Sequence, residues 1–299
     1  MLIDFEKTVS TLRDVKSGKI KEGLKLGIDQ IDEYLRFKPT NFNVILGHAN
    51  VGKTSVILYL MLMYTIKHGL KWVVYSSENE AHSILRKMVE YMEQKPINKI
   101  SEEAFNSRLK FIYDHFKIID NEKMYTYVEL LELCTAIKNA WHYDGLLIDP
   151  YNSLSKDQKI LKGLGGHEYD YQATTEMRIF CKKHRVSIWL NTHANTTALR
   201  MVHRIDHQYG GHPIPPMASD VEGGGKFVNR ADDFIVIHRY TQHPTDFMIT
   251  NIHVRKVKEI ETGGRPTPME MPIKMRSIIN NVGFSIDGMN LIQKSDDIV

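Results

Sequence analysis

An α/β fold is what the sequence predicts: a mostly parallel central sheet flanked by helices on both faces. Short β-rich apolar runs alternate with stretches of helical periodicity, the pattern of parallel strands joined by crossover helices. The first of these runs, residues 42–46, passes through a glycine-bearing loop straight into an apolar helical segment at 55–67. Polar or charged residues repeatedly close the runs, at the carboxyl tips where parallel sheets bind ligands.

Taken in order, residues 1–22 are polar and charged with weak helical periodicity and read as an arm or linker helix ahead of one domain over 23–299. Residues 23–35 lead into the first core strand at 42–46. Gly69 closes the next helix as a left-handed cap would, and 71–77 is β-rich enough for a second strand. Helical spacing resumes over 81–92 through Ile84, Leu85, Met88 and Val89, stops at Pro96 and returns briefly at 101–108. Residues 116–120 are a candidate short strand. Residues 125–143 form a strong helix pattern with Val128, Leu131, Ala136 and Ile137 on one face, and 145–149 is an apolar run closed by a carboxylate. The stretch 155–166 has lysines, a Gly-Leu-Gly-Gly segment and no long apolar stripe, so it reads as a mobile loop. A helix at 169–184 and a strand at 187–191 follow, then a polar stretch to about 225 rich in His, Gly and Pro. Residues 234–238 and 248–257 are late strands, with Gly263-Gly264 marking a turn. Neither an internal repeat nor a domain boundary is evident.

Composition narrows the function. At 299 residues with 42% hydrophobic and 25% charged content, the chain can bury a sizeable core and has an ordinary soluble make-up. No apolar run approaches the roughly 20 residues that span a bilayer, so no membrane partner is expected. The first residues lack the basic start and apolar stretch of a signal peptide. Cys134 and Cys181 both fall in helical patterns, which argues against a disulfide framework and for the reducing cytoplasm. The net charge of +3 does not by itself require a polyanionic partner, so any nucleic-acid argument rests on local clusters.

The chemistry concentrates in Gly47-His48-Ala49-Asn50-Val51-Gly52-Lys53-Thr54, which fits G-x-x-x-x-G-K-[ST] at every fixed position, with Ser55 next. Strand, glycine loop and helix together make a phosphate site: backbone N–H groups curl around an anion and the helix N-terminus adds a favourable dipole. Lys53 is expected to reach the β- and γ-phosphates and the Thr54 hydroxyl to hold Mg²⁺. Four further signals are placed with it at the strand tips. Asp149 ends its strand in the manner of a Walker B carboxylate that holds Mg²⁺. Glu78 is a candidate to orient or deprotonate the attacking water, and His193 to sense the γ-phosphate. Lys256-Val257-Lys258 closes a late strand. Two basic, glycine-bearing stretches suit a phosphate backbone read without sequence preference: Lys156, Lys159 and Lys162 in 155–168, and Arg200, Arg204, Gly223, Gly224 and Lys226 in 194–226. His203, His207 and His212 have a loosely metal-like spacing without cysteine partners, a weak signal.

In this order the motifs, from about Gly23 to Gly283, resemble the RecA-like ATPase domain of DnaB-type replicative helicases, phage and mitochondrial members included. The lead-in Gly23 to Leu35, the segment Ser76-Ser77-Glu78-Asn79-Glu80 followed by Leu85-Arg86, and Leu146-Leu147-Ile148-Asp149-Pro150-Tyr151-Asn152-Ser153-Leu154 carry the resemblance. So do Asn191-Thr192-His193-Ala194-Asn195, in the place of the polar sensor, and Asp220-Val221-Glu222-Gly223-Gly224-Gly225 through Asn229-Arg230-Ala231-Asp232-Asp233. The resemblance implies a RecA-like P-loop core and ATP with Mg²⁺ as cofactors. It implies Glu78 as the catalytic glutamate and a homo-oligomeric, hexameric ring that unwinds forked duplex while moving on single-stranded DNA. A separate primase or loader would be a partner. Two departures stand out. The family's late strand usually carries Lys-x-Arg, the arginine acting as a finger into the neighbouring subunit; here Lys256 and Lys258 stand there, as in recombinases, and an ammonium lacks the planar fork of arginine. The residues before the ATPase are too few for a collar or primase domain. The alternatives are a recombination-type filament ATPase that pairs strands and a non-translocating relative.

Overall fold

The computed structural model describes residues 2, 4–19 and 22–292. An arm helix α1 (Phe5–Lys16) precedes the short α2 (Asp29–Asp32), β1 (Phe42–Gly47), α3 (Lys53–His68), β2 (Trp72–Ser76), α4 (Ala81–Glu93) and α5 (Glu102–His115). The chain continues through β3 (Phe116–Ile119), α6 (Tyr127–Ala140), β4 (Gly145–Asp149), α7 (Gln158–His184), β5 (Ser187–His193), α8 (Lys226–Arg230) and β6 (Asp233–Arg239). It closes with β7 (Ile249–Val257), α9 (Ile260–Gly263), β8 (Ile273–Ser277), β9 (Phe284–Ile286) and β10 (Met289–Asn290).

These strands form one sheet in the order β10-β9-β8-β7-β6-β1-β5-β4-β2-β3. From β3 to β6 every pairing is parallel, and from β6 to β10 every pairing is antiparallel. The parallel half is buried on both faces by the two-residue period of its strands. In β1, Phe42, Val44 and Leu46 face one core and Ile45 the other; in β2, Val73 and Tyr75 oppose Trp72 and Val74. One core is closed by α3 and α4, the other by α6, α7 and α8. The α3 helix is apolar nearly all round because the sheet and α4 cover it, with residues 56–65 buried throughout. Gly145 is required by its neighbour: a Cβ there would lie 2.2 Å from the Trp72 ring paired beside it.

Two expectations are corrected. The stretch 155–166 is not a loop: α7 begins at Gln158, because the Asp157 carboxylate accepts from the N–H groups of Lys159 (2.8 Å) and Ile160 (3.2 Å) and Ile160 and Leu161 pack on the core. Gly165 (φ 78°, ψ 165°) breaks the helix into two segments. The second correction concerns Lys256 and Lys258. Because β7 is antiparallel, Val257 pairs with Asp233 at the start of β6, so this tip lies at the opposite end of the sheet from the phosphate loop.

Candidate nucleotide site

Strand β1 ends at Gly47, where a Cβ would sit 2.5 Å from the Ile237 carbonyl oxygen, and Gly52 turns the loop into α3 with φ 87°. Both positions need glycine for space or conformation. The loop carries Lys53 inward: its side chain is buried and its ammonium donates to the carbonyls of Gly47 (2.9 Å) and His48 (2.8 Å). Burial pulls the Lys53 pKa down to about 8, against the opposing pull of the Asp149 and Glu78 carboxylates. His48 is buried beside His238, ring centroids 6.0 Å apart, and burial holds its imidazole below the usual range.

Asp149 sits at the tip of β4 with every oxygen engaged. Its Oδ2 accepts from Thr54 Oγ1 (2.8 Å) and Ser76 Oγ (3.2 Å), and its Oδ1 from the Asn191 amide (2.5 Å). Three strands thus aim at one carboxylate: β2 supplies Ser76, β4 the aspartate and β5 Asn191. The adjacent Thr54 hydroxyl and Asp149 carboxylate are the hard oxygen donors that Mg²⁺ takes, so the residues present fit a magnesium nucleotide. His193, at the tip of β5, stands between two charged groups, its Nδ1 3.4 Å from Lys53 Nζ and its Nε2 3.4 Å from Glu78 Oε1. Glu78 is half-exposed just beyond β2.

Lys53, Thr54, Glu78, Asp149 and His193 line one open cleft of about 760 Å³, together with Ala49, Asn50, Gly52 and Ser55 of the loop. The remaining loop residue, Val51, is buried in the core. The cleft also contains residues the sequence did not single out: Lys87, whose ammonium donates to Ser55 Oγ (2.8 Å), Arg239 at the end of β6, and Asn280 and Asn281 between β8 and β9. Lys87 lies one α4 turn after Ser83, on the face turned to the loop, and burial lowers its pKa. Ser76 and Asn191 were also missed as Asp149's anchors; each stands inside a motif already read for its neighbour.

The other sequence candidates are spread over two regions. Lys256 donates to the carbonyls of Val228 (2.8 Å) and Ala231 (2.7 Å), and Lys258 to Asp232 (3.2 Å), all at the far end of the sheet. Lys159, Lys162, Arg200 and Arg204 are exposed, and Lys156 is half-exposed with its ammonium 3.8 Å from Asp170. Gly223 (φ 99°) and Gly224 (φ 95°) need glycine conformationally. Lys226 departs from its expectation: it is buried, its ammonium 3.2 Å from Asp170. The role its geometry supports is anchoring the loop rather than meeting a strand. His203 and His207 stack with centroids 4.0 Å apart, and His203 bonds the Tyr240 hydroxyl (2.9 Å). Among the described residues no group of His, Cys, Asp or Glu could hold a metal ion, so these histidines pack instead. Cys134 and Cys181 are both buried and free, and no helix among the described residues is long and apolar enough to cross a membrane.

No protein-family model matches the chain. The Twinkle homolog protein, chloroplastic/mitochondrial, of Arabidopsis thaliana is 26% identical over 274 residues, which is 87% of this chain and 36% of that protein. The chain therefore spans about a third of the length of the curated relative it matches. Among solved structures, the isolated ATPase domain of a DnaB-like helicase superposes with a TM-score of 0.73 at 14% identity, covering 93% of this chain and 96% of that one. A DnaB-like replicative helicase, described with its interactions with primase, gives 0.69 at 15% identity, covering 95% and 66%. The KaiC-like protein PH0186 from Pyrococcus horikoshii OT3 gives 0.54 at 16%, covering 89% and 96%. With a phosphate loop at the tip of β1 and a backbone that these neighbours match over about nine-tenths of its length, the chain has the RecA-like fold of DnaB-type helicase ATPase domains.

Proposed function

We propose that this chain is an ATP-hydrolysing motor of the DnaB type, which assembles as a hexameric ring, moves on single-stranded DNA and unwinds duplex at a fork. The observation that carries the reading is the convergence of Lys53, Thr54, Glu78, Asp149 and His193 on one cleft at the carboxyl edge of the parallel strands. Lys53 neutralises charge on the β- and γ-phosphates once it leaves the carbonyls of Gly47 and His48. Glu78 orients the attacking water and takes its proton, with His193 between it and Lys53 as the group that registers the γ-phosphate. Mg²⁺, held through Thr54 and Asp149, would supply further charge neutralisation when bound. Lys256 and Lys258 act in the cleft of the neighbouring subunit, since their own strand carries them away from this one. The α1 arm exposes Phe5 and Leu12, a face suited to docking on the next subunit. Lys156, Lys159, Lys162, Arg200 and Arg204 track the DNA backbone. A separate primase or loader is the partner class that the DnaB-like neighbour suggests.

Strand displacement on a forked duplex with ATP and Mg²⁺ tests this, with Lys53→Ala as the blank. Unwinding that vanishes in the variant supports the motor. The paired lysines favour a second reading, a filament ATPase that pairs strands. Hydrolysis stimulated by single strands without unwinding, together with open helical assemblies in place of closed rings, would select it.

A further inference from the structure

The strand β5 outruns its neighbour β4: their pairing ends at Leu190, opposite Ile148. Beyond that point a side chain takes over the ladder. Asn152 Oδ1 accepts from the backbone N–H of His193 (3.0 Å) and from Thr192 Oγ1 (3.0 Å), and its Nδ2 donates to Glu222 Oε2 (2.9 Å). His193 and Glu222 are the two ends of the long polar loop. The Glu222 N–H donates to the His193 carbonyl (3.0 Å), and Ala194 and Val221 form an antiparallel bridge just inside. The adjacent Tyr151 holds the same loop from its other flank, donating to Asp170 Oδ1 (2.8 Å), whose Oδ2 carries the Lys226 ammonium. Asn152 itself is exposed, so its three bonds restrain a side chain that packing leaves loose.

We propose that Asn152 is a positioning residue that transmits the state of the nucleotide cleft to the loop 194–222. It grips the backbone of His193, whose ring lies 3.4 Å from both Lys53 and Glu78, and with its other atom the carboxylate that closes the loop. Movement of His193 on phosphate occupancy shifts the Asn152 amide and, through it, Glu222. Only an amide suits the place: an aspartate would face Glu222 with like charge, and an aliphatic side chain would free both ends. The inference rests on the motor reading above for the use of the coupling, but the coupling itself is separately measurable.

Hydrogen exchange of the 194–222 amides, with and without a slowly hydrolysed ATP analogue and Mg²⁺, tests it. In the wild type the analogue is expected to slow exchange in this segment by about fivefold, the change that one hydrogen bond confers. In Asn152→Ala the analogue still raises the melting temperature, showing that the protein is folded and loaded, but exchange in the segment no longer responds. Glu222→Gln, which keeps an acceptor for the Asn152 amide, responds as the wild type does, and Glu222→Ala does not. A wild type that shows no response, or an Asn152→Ala variant that keeps the full response, overturns the proposal. If the coupling is present while single-stranded DNA fails to stimulate hydrolysis by the wild type, the motor reading falls and the coupling stands.

Discussion

Replacing Lys53 with methionine should disable the site and stabilise the nucleotide-free protein. The lysine is buried, and its pKa of about 8 stands below an ordinary lysine value of 10.5. A depressed lysine pKa means that its charged form is disfavoured in the fold: at pH 7 the folded and unfolded chains both carry the proton, and the folded one bears the penalty. The shift corresponds to about 3 kcal/mol at 1.36 kcal/mol per unit, an upper limit because methionine leaves the carbonyls of Gly47 and His48 without their donor. A net gain of about 1–2 kcal/mol remains, or roughly 2–4 °C in melting temperature for a chain of this size. As pH rises from about 8 toward 10.5, the folded wild type sheds the proton that the unfolded chain keeps, so its stability climbs and the advantage of the variant disappears. Urea denaturation of both proteins without nucleotide, at neutral pH and near pH 10, measures this difference with other titrations cancelling. ATP with Mg²⁺ should then stabilise the wild type alone. A Lys53→Met protein that is no more stable than the wild type at pH 7, or whose advantage is unchanged at pH 10, refutes the claim that loop burial strains this lysine.

Three other outcomes follow from the geometry. Trp72→Ala empties a site where the indole meets Phe37 (5.5 Å) and Trp189 (5.8 Å) edge-on, and should cost about 3–5 kcal/mol in urea unfolding; a cost below about 1 kcal/mol would mean that the core collapses around the gap. Asp149→Asn keeps the hydrogen-bond acceptor toward Thr54 but removes the charge, so thermal stabilisation by ATP should lose its dependence on Mg²⁺ and turnover should fall by about 10²-fold or more; stabilisation that still needs Mg²⁺ would place the metal elsewhere. Lys258→Ala should depress hydrolysis in the assembly by about 10²-fold or more, and mixing with Glu78→Ala subunits should restore part of it, because each mixed interface then joins an intact Glu78 to an intact Lys258; rates in mixtures no higher than the sum of the two variants would rule out a shared site.

What was legible in the sequence was whatever local pattern dictates. Strands β1, β2, β4 and β5 are buried on both faces, so they appear as short apolar runs, and the glycine loop is bound to its neighbours by chain continuity. The carboxylate at the tip of β4 was visible because an apolar run ending in Asp149 has few other reasons to end so. Less visible were features set by partners distant in sequence. Lys87 enters the cleft because α4 packs beside α3, and Arg239 and Asn280 enter because the antiparallel half folds back over the same edge. The start of α7 was misread because its apolar contact is only Ile160 and Leu161, too short for periodicity, although Asp157 two residues before Lys159 was the available cap signal. The buried state of Lys226 depends on Asp170, fifty-six positions earlier, and no spacing rule reports such a pair.

The misplacement of Lys256 and Lys258 has the widest consequence. A single parallel sheet would have put them beside the phosphate loop; the turn into β7 reverses the strand instead. With Val257 opposite Asp233, Asp233 opposite Asn43, and Gly47 four residues along β1, the two tips are separated by on the order of 15 Å of sheet. Within one chain, Lys258 is committed to Asp232, which also takes the Arg178 guanidinium (2.7 Å) and the Phe42 N–H (3.1 Å), while Lys256 closes the carbonyl end of α8. Those contacts keep both ammonium groups at one edge of the sheet, with Lys258 still about half-exposed. A phosphate in the cleft of the same subunit is beyond the reach of either lysine. If they serve hydrolysis at all, they must serve a second copy whose phosphate loop faces this edge, an arrangement that repeats head to tail and therefore closes into a ring or continues as a helix. The direction of β7 thus makes oligomerisation a condition of any catalytic role for these lysines, and it leaves ring against filament to be decided by the rotation between neighbours.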